Sequence, residues 1–158
     1  MILKVSLAYA IIILKYILEE NNLKKLLSEL SVERINDNVI SLTLFGSYRE
    51  ECFRDGHSDI DILVLMKYTD FDIECEIENY YYPLLKEYFN YDNIHFTFIG
   101  LNAFDSVFAE IYIDYEDKII FDIENHYDFL MYINKFNRVN ENLINLIKKD
   151  WESKYGVL

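Results

Sequence analysis

Apolar residues over positions 3–31 recur at intervals of three and four: Leu3, Leu7, Ala10, Ile11, Leu14, Ile17 and Leu18, then Leu23, Leu26, Leu27 and Leu30. That spacing lines one side of a helix and predicts a helical N-terminal segment over 1–35, interrupted near Asn21-Asn22. The period then changes. Asn38–Phe45 and Ile60–Met66 are short, β-branched and almost wholly apolar, which predicts two buried strands joined by a polar loop over 46–58. Residues 70–78 carry two periods at once. Five acids from Asp70 to Glu78 alternate with Phe71, Ile73, Cys75 and Ile77, as in a strand. Yet Ile73, Ile77, Tyr80, Tyr81, Leu84, Leu85 and Tyr88 form a helical face, and this longer pattern predicts a helix over roughly 73–89. Pro83 opposes it, because an interior proline costs about 3 kcal/mol.

Asn93–Ile99 and Lys118–Asp122 predict two further strands, with a short helix over Leu101–Glu110 between them. Tyr127, Leu130, Met131, Phe136, Leu143, Ile147 and Trp151 suit one or two terminal helices. No Pro/Gly/Ser linker and no internal repeat divides the chain. The expectation is a single α+β domain over 1–158. It comprises the N-terminal helical segment, a motif-bearing sheet core over 38–123 and C-terminal helices over 124–158.

Composition narrows the classes. The 158 residues are 52% hydrophobic and 16% aromatic, with 4 Gly and 1 Pro. This suits a packed core and opposes disorder. Fifteen basic residues against 28 acidic ones give a net charge of −13. A broad face for duplex nucleic acid is excluded, since phosphate binding needs clustered Lys and Arg. The charge is uneven: residues 1–45 carry five basic and five acidic residues, so all of the excess follows Phe45. Solubility accounts for such a surface; a polyanion that handles anions needs a cation between them, usually a divalent metal.

Cys52 and Cys75 form no metal-binding or disulfide pattern and predict reduced thiols in a cytoplasmic protein. Lys4 and Lys15 bracket an apolar run of ten residues, Val5–Leu14. It is too short for a bilayer span, so no membrane association is expected. His57 and His126 read as surface loop residues. The Tyr80-Tyr81-Tyr82 run reads as core or interface. Surplus apolar surface on the terminal helices would suit a homo-oligomer.

The chemistry concentrates in Gly46-Ser47 and Ser58-Asp59-Ile60-Asp61-Ile62-Leu63-Val64. A buried strand ends in Gly-Ser, where glycine permits a sharp turn and close approach of a ligand. The next strand opens on Asp-x-Asp, and residues two apart on a strand face the same side. Asp59 and Asp61 therefore point together, towards whatever the Gly46-Ser47 turn holds. Two convergent carboxylates beside a phosphate cradle meet the needs of a magnesium–nucleotide site. Arg49 and Arg54 lie in the loop as candidate phosphate contacts or solvated charges.

These residues, within 42–66, resemble the nucleotidyltransferase superfamily typified by DNA polymerase beta, and most closely its minimal nucleotidyltransferases. The resemblance implies a nucleotidyltransferase-like mixed sheet flanked by helices. It implies Mg²⁺ (or Mn²⁺) dependence and transfer of a nucleoside monophosphate from ATP or another NTP to an acceptor hydroxyl. Gly46 and Ser47 take the phosphate role; Asp59 and Asp61 take the catalytic and metal role. Small members often act as antitoxins that modify a partner protein, which implies a helical protein partner. The chain departs from the family pattern in three ways. Arg49-Glu50-Glu51 stands where a second glycine is usual, and the loop is one residue longer than the commonest spacing. His95 occupies the strand position where active members usually carry a third carboxylate. The alternative reading is a degenerate member that binds nucleotide or a protein partner without turnover.

Overall fold

The computed structural model describes residues 24–155. Four strands form one mixed sheet: β1 (Val39–Phe45), β2 (Ile60–Met66), β3 (Ile94–Gly100) and β4 (Lys118–Ile120). Among the described residues three helices flank it: α1 (Phe71–Phe89), α2 (Val107–Asp114) and α3 (Ile123–Tyr155). The strand order is β3-β2-β1-β4. β2 runs antiparallel to β1 and parallel to β3, and β4 runs antiparallel to β1. The α+β class expected from the sequence is the one observed.

β2 is apolar on both faces because both are covered. Ile60, Ile62, Val64 and Met66 pack with Ile77, Tyr81, Leu85 and Phe89 of α1. Leu63 and Leu65 face the other way, towards Ala109 and Tyr112 of α2 and Phe129 and Ile133 of α3. In β1 a register shift between Val39 and Ser41 moves Ser41, Thr43 and Phe45 into line with Leu65, Leu63 and Asp61.

The helical reading of roughly 73–89 holds, with the helix starting two residues earlier at Phe71, because both ends are capped. Asp70 Oδ1 accepts hydrogen bonds from the N–H groups of Asp72 (3.1 Å) and Ile73 (3.2 Å), which satisfies first-turn donors. At the other end Asn90 takes the left-handed conformation, φ 53°, a common helix stop. Pro83 is an exposed member of the helix.

Several sequence expectations need correction. The N-terminal prediction over 3–23 lies outside the described residues. Its continuation over 24–35 is not an α-helix but a single 3₁₀ turn, Leu27–Glu29, flanked by extended backbone. The Asp117 carboxylate accepts from the N–H groups of Leu27 and Ser28, both at 2.8 Å, so those donors need no helical partners. The helix expected over 101–110 is a 3₁₀ turn, Leu101–Ala103, followed by α2. The C-terminal pattern is one helix, α3. The core side of α3 is His126, Phe129, Leu130 and Ile133, whereas Tyr127 and Met131 are exposed. His126 is therefore not a surface loop residue. It is 8% exposed, and its Nδ1 lies 2.6 Å from the Tyr112 hydroxyl. Among the described residues no helix is long and apolar enough to cross a membrane.

Candidate nucleotidyl-transfer site

The sheet topology brings three element ends to one edge. β1 finishes at Phe45 and turns through a 3₁₀ turn, Gly46–Arg49. β2 starts beside it, and β3 starts beside β2. Asp61 pairs with Phe45 on β1 and with His95 on β3. It continues the Leu65–Leu63 column but lies beyond the apolar layer, half-buried at the opening of the strand.

Gly46 is required here. Its φ is +74°, a conformation that side chains other than glycine's strain. A Cβ on Gly46 would stand 2.5 Å from Asp61 Oδ2. The missing side chain is the space in which the carboxylate sits. Ser47 follows in the same turn and is partly exposed, and its carbonyl accepts from the Glu50 N–H at 2.8 Å.

Asp59 precedes the strand and is exposed. Asn93 Nδ2 donates a hydrogen bond to its Oδ1. His95 is exposed, with Nδ1 3.4 Å from Asp61 Oδ1. Burial pushes the Asp61 carboxyl above the usual carboxylate range, His95 opposes that shift, and the nearby Asp59 charge adds to it. Two acids that repel each other beside a glycine gap are stabilised by a shared cation. Asp92 stands apart from the acid pair, bonded to Lys86 at 2.8 Å.

The residues present fit magnesium in one mode. Mg²⁺ is usually held by one or two carboxylates together with substrate phosphates; Asp61 supplies one beside the Gly46 turn, and Asp59, whose charge acts on it, can supply a second. Among the described residues no three His, Cys, Asp or Glu side chains converge as a metal cage, so a cation here would share its remaining positions with ligand and water. A cleft of about 540 Å³ opens beside Gly46, with Phe45, Arg49, Asp114 and Tyr115 in its wall. That volume lies within the small-molecule range. Arg54 is exposed elsewhere in the loop, where its N–H bonds Ser58 Oγ at 3.0 Å. Sequence reasoning missed Asn93. Its signal is the same two-residue spacing, Asn93-x-His95, that marks the acids on β2.

Fold and edge geometry define an α+β domain with two acids at the opening of a central strand, one of them, Asp61, set against a glycine turn. The chain matches the family model of the nucleotidyltransferase domain over residues 20–157 and belongs to that family. No curated protein and no solved structure matches the chain.

Proposed function

We propose that the protein transfers a nucleoside monophosphate from ATP or another NTP to an acceptor hydroxyl, forming the acceptor O–Pα bond as the bond from Pα to the β-phosphate oxygen breaks and pyrophosphate leaves, with Mg²⁺ or Mn²⁺ held by Asp59 and Asp61. The single observation that carries this reading is Asp61 Oδ2 filling the space a Cβ on Gly46 would take, with Asp59 close enough for its charge to act on Asp61. Family membership supports nucleotidyl transfer in general. The two carboxylates at the opening of β2 support the metal, and the resemblance to polymerase beta-like nucleotidyltransferases supports the triphosphate.

When bound, the cation would neutralise phosphate charge at the reacting phosphorus. The chain's own residues supply the rest. The Gly46-Ser47 turn lets the backbone approach the phosphates closely. Asp59 and Asp61 fix the position of that charge relative to the sheet. Arg49 stands at the neighbouring cleft, where a guanidinium can meet phosphate oxygens. The resemblance to small antitoxin-like members makes a hydroxyl on a partner protein one acceptor class to test.

The test is incubation with NTP labelled at the α-phosphorus, with and without Mg²⁺, against candidate acceptors. Metal-dependent labelling that Asp59→Asn and Asp61→Asn abolish is expected. No labelling of any acceptor together with no metal-dependent nucleotide binding would overturn the reading.

One observation favours the alternative. His95 stands beside Asp61 where the family usually carries a third acid, and a neutral imidazole is a poor magnesium ligand. Under that reading the protein binds the metal–nucleotide without turnover, and His95→Asp gains transfer. Wild-type turnover that His95→Asp leaves unchanged would exclude it.

A further inference from the structure

Each acid of the pair has two oxygens, and in both cases a side-chain nitrogen from the start of β3 or the residue before it approaches one of them. Asn93 Nδ2 donates to Asp59 Oδ1. His95 Nδ1 faces Asp61 Oδ1 at 3.4 Å. The arrangement follows from the parallel register. Ile60 pairs with Ile94 and Asp61 with His95, and the Ile60 N–H donates to the Asn93 carbonyl at 2.9 Å. The two-residue period of acids entering β2 therefore meets a two-residue period of nitrogen donors entering β3. The second Asp61 oxygen, Oδ2, is turned towards Gly46.

We infer that Asn93 and His95 are positioning residues, which hold the Oδ1 atoms of Asp59 and Asp61 and leave the other oxygen of each for a divalent cation. The inference rests on the proposed reading of the acid pair. Its physical basis is orientation. An exposed carboxylate rotates freely about its last torsion, and a ligand must then order it at an entropic cost. A neighbouring N–H that fixes one oxygen reduces that cost without competing for the metal. Outer partners of ligating carboxylates typically contribute about 10–100-fold in metal affinity. On this account His95 replaces a ligand by a donor, and Asn93 gives Asp59 the same support.

The experiment is Mn²⁺ binding to the whole protein, read from the loss of the free-Mn²⁺ paramagnetic resonance signal. Wild type is compared with Asn93→Leu, Asn93→Gln, His95→Phe and Asp59→Ala, each checked for folding by thermal melting. Asn93→Leu keeps the side-chain size but removes the donor and is expected to weaken Mn²⁺ binding about 10–100-fold. Asn93→Gln retains an amide donor and stays nearer to wild type. His95→Phe provides an independent loss of the second donor, so the inference does not hang on one variant folding. If Asp59→Ala loses Mn²⁺ while Asn93→Leu and His95→Phe bind it as wild type does, the positioning role is wrong and the acid pair stands. If wild type and Asp59→Ala bind Mn²⁺ alike, the acid pair itself is wrong.

Discussion

Gly46 and Asp61 occupy one space: a Cβ on the glycine would lie 2.5 Å from the Asp61 Oδ2 atom and 3.3 Å from its Cγ. Gly46→Ala therefore acts in two ways. The φ of +74° costs an L-residue about 1–2 kcal/mol of stability. The methyl group also drives the carboxylate out of its place. The displaced atoms are the end of a short side chain, so the fold survives and the site does not. A modest fall in melting temperature with a disproportionate loss of divalent-cation binding is expected. Calorimetric titration beside a thermal melt checks both.

Thr43 Oγ1 is a buried hydroxyl oxygen without a hydrogen-bond partner among the described residues. A buried polar group left unsatisfied costs about 1–3 kcal/mol, whereas a shape-matched apolar group does not. Thr43→Val is expected to raise unfolding free energy by about 1 kcal/mol in urea titration. A loss of stability would show that the hydroxyl has a partner in solution.

Pro83 lies inside α1 on its exposed side. It has no N–H to donate and its ring crowds the preceding turn. Pro83→Ala should stabilise the protein by about 1–3 kcal/mol, measured by chemical denaturation.

His126 gives a pH-dependent contribution to stability. Burial holds its pKa below the usual 6.5, and the Lys118 ammonium pushes it the same way. The Tyr112 hydroxyl beside it is pushed up to about 12 and stays protonated. Because the folded value is lower than the unfolded one, the unfolded state binds the proton first. The contribution is complete above pH 6.5 and is lost as pH falls through the depressed folded value. Melts of wild type and His126→Gln across this range should diverge on the acid side, with the variant showing the flatter profile.

The two strands that carry the site were legible because each is a continuous apolar run ended by Gly46 or opened by Asp59. Their side-chain chemistry is local, since the two acids stand two residues apart where β2 opens, Asp61 inside the strand and Asp59 just before it. What the sequence could not show depends on partners far along the chain. The Leu26, Leu27 and Leu30 spacing reads as helix, but Asp117, ninety residues beyond Leu27, captures the first amides and leaves a single turn. Asn93 acquires meaning only when β3 is laid parallel to β2 in one register. His126 reads as polar surface until α2 supplies the Tyr112 hydroxyl that satisfies it. The ambiguous period over 70–78 was decided by the caps at Asp70 and Asn90, which outweigh one exposed proline.

The most direct test of the acid-pair site is calorimetric titration of wild type and Asp61→Asn with ATP, in the presence of Mg²⁺ and then of chelator. The expected result is nucleotide binding by wild type that requires the cation and falls at least about tenfold, some 1.4 kcal/mol, in Asp61→Asn. Equal binding by both proteins, with or without Mg²⁺, would contradict it.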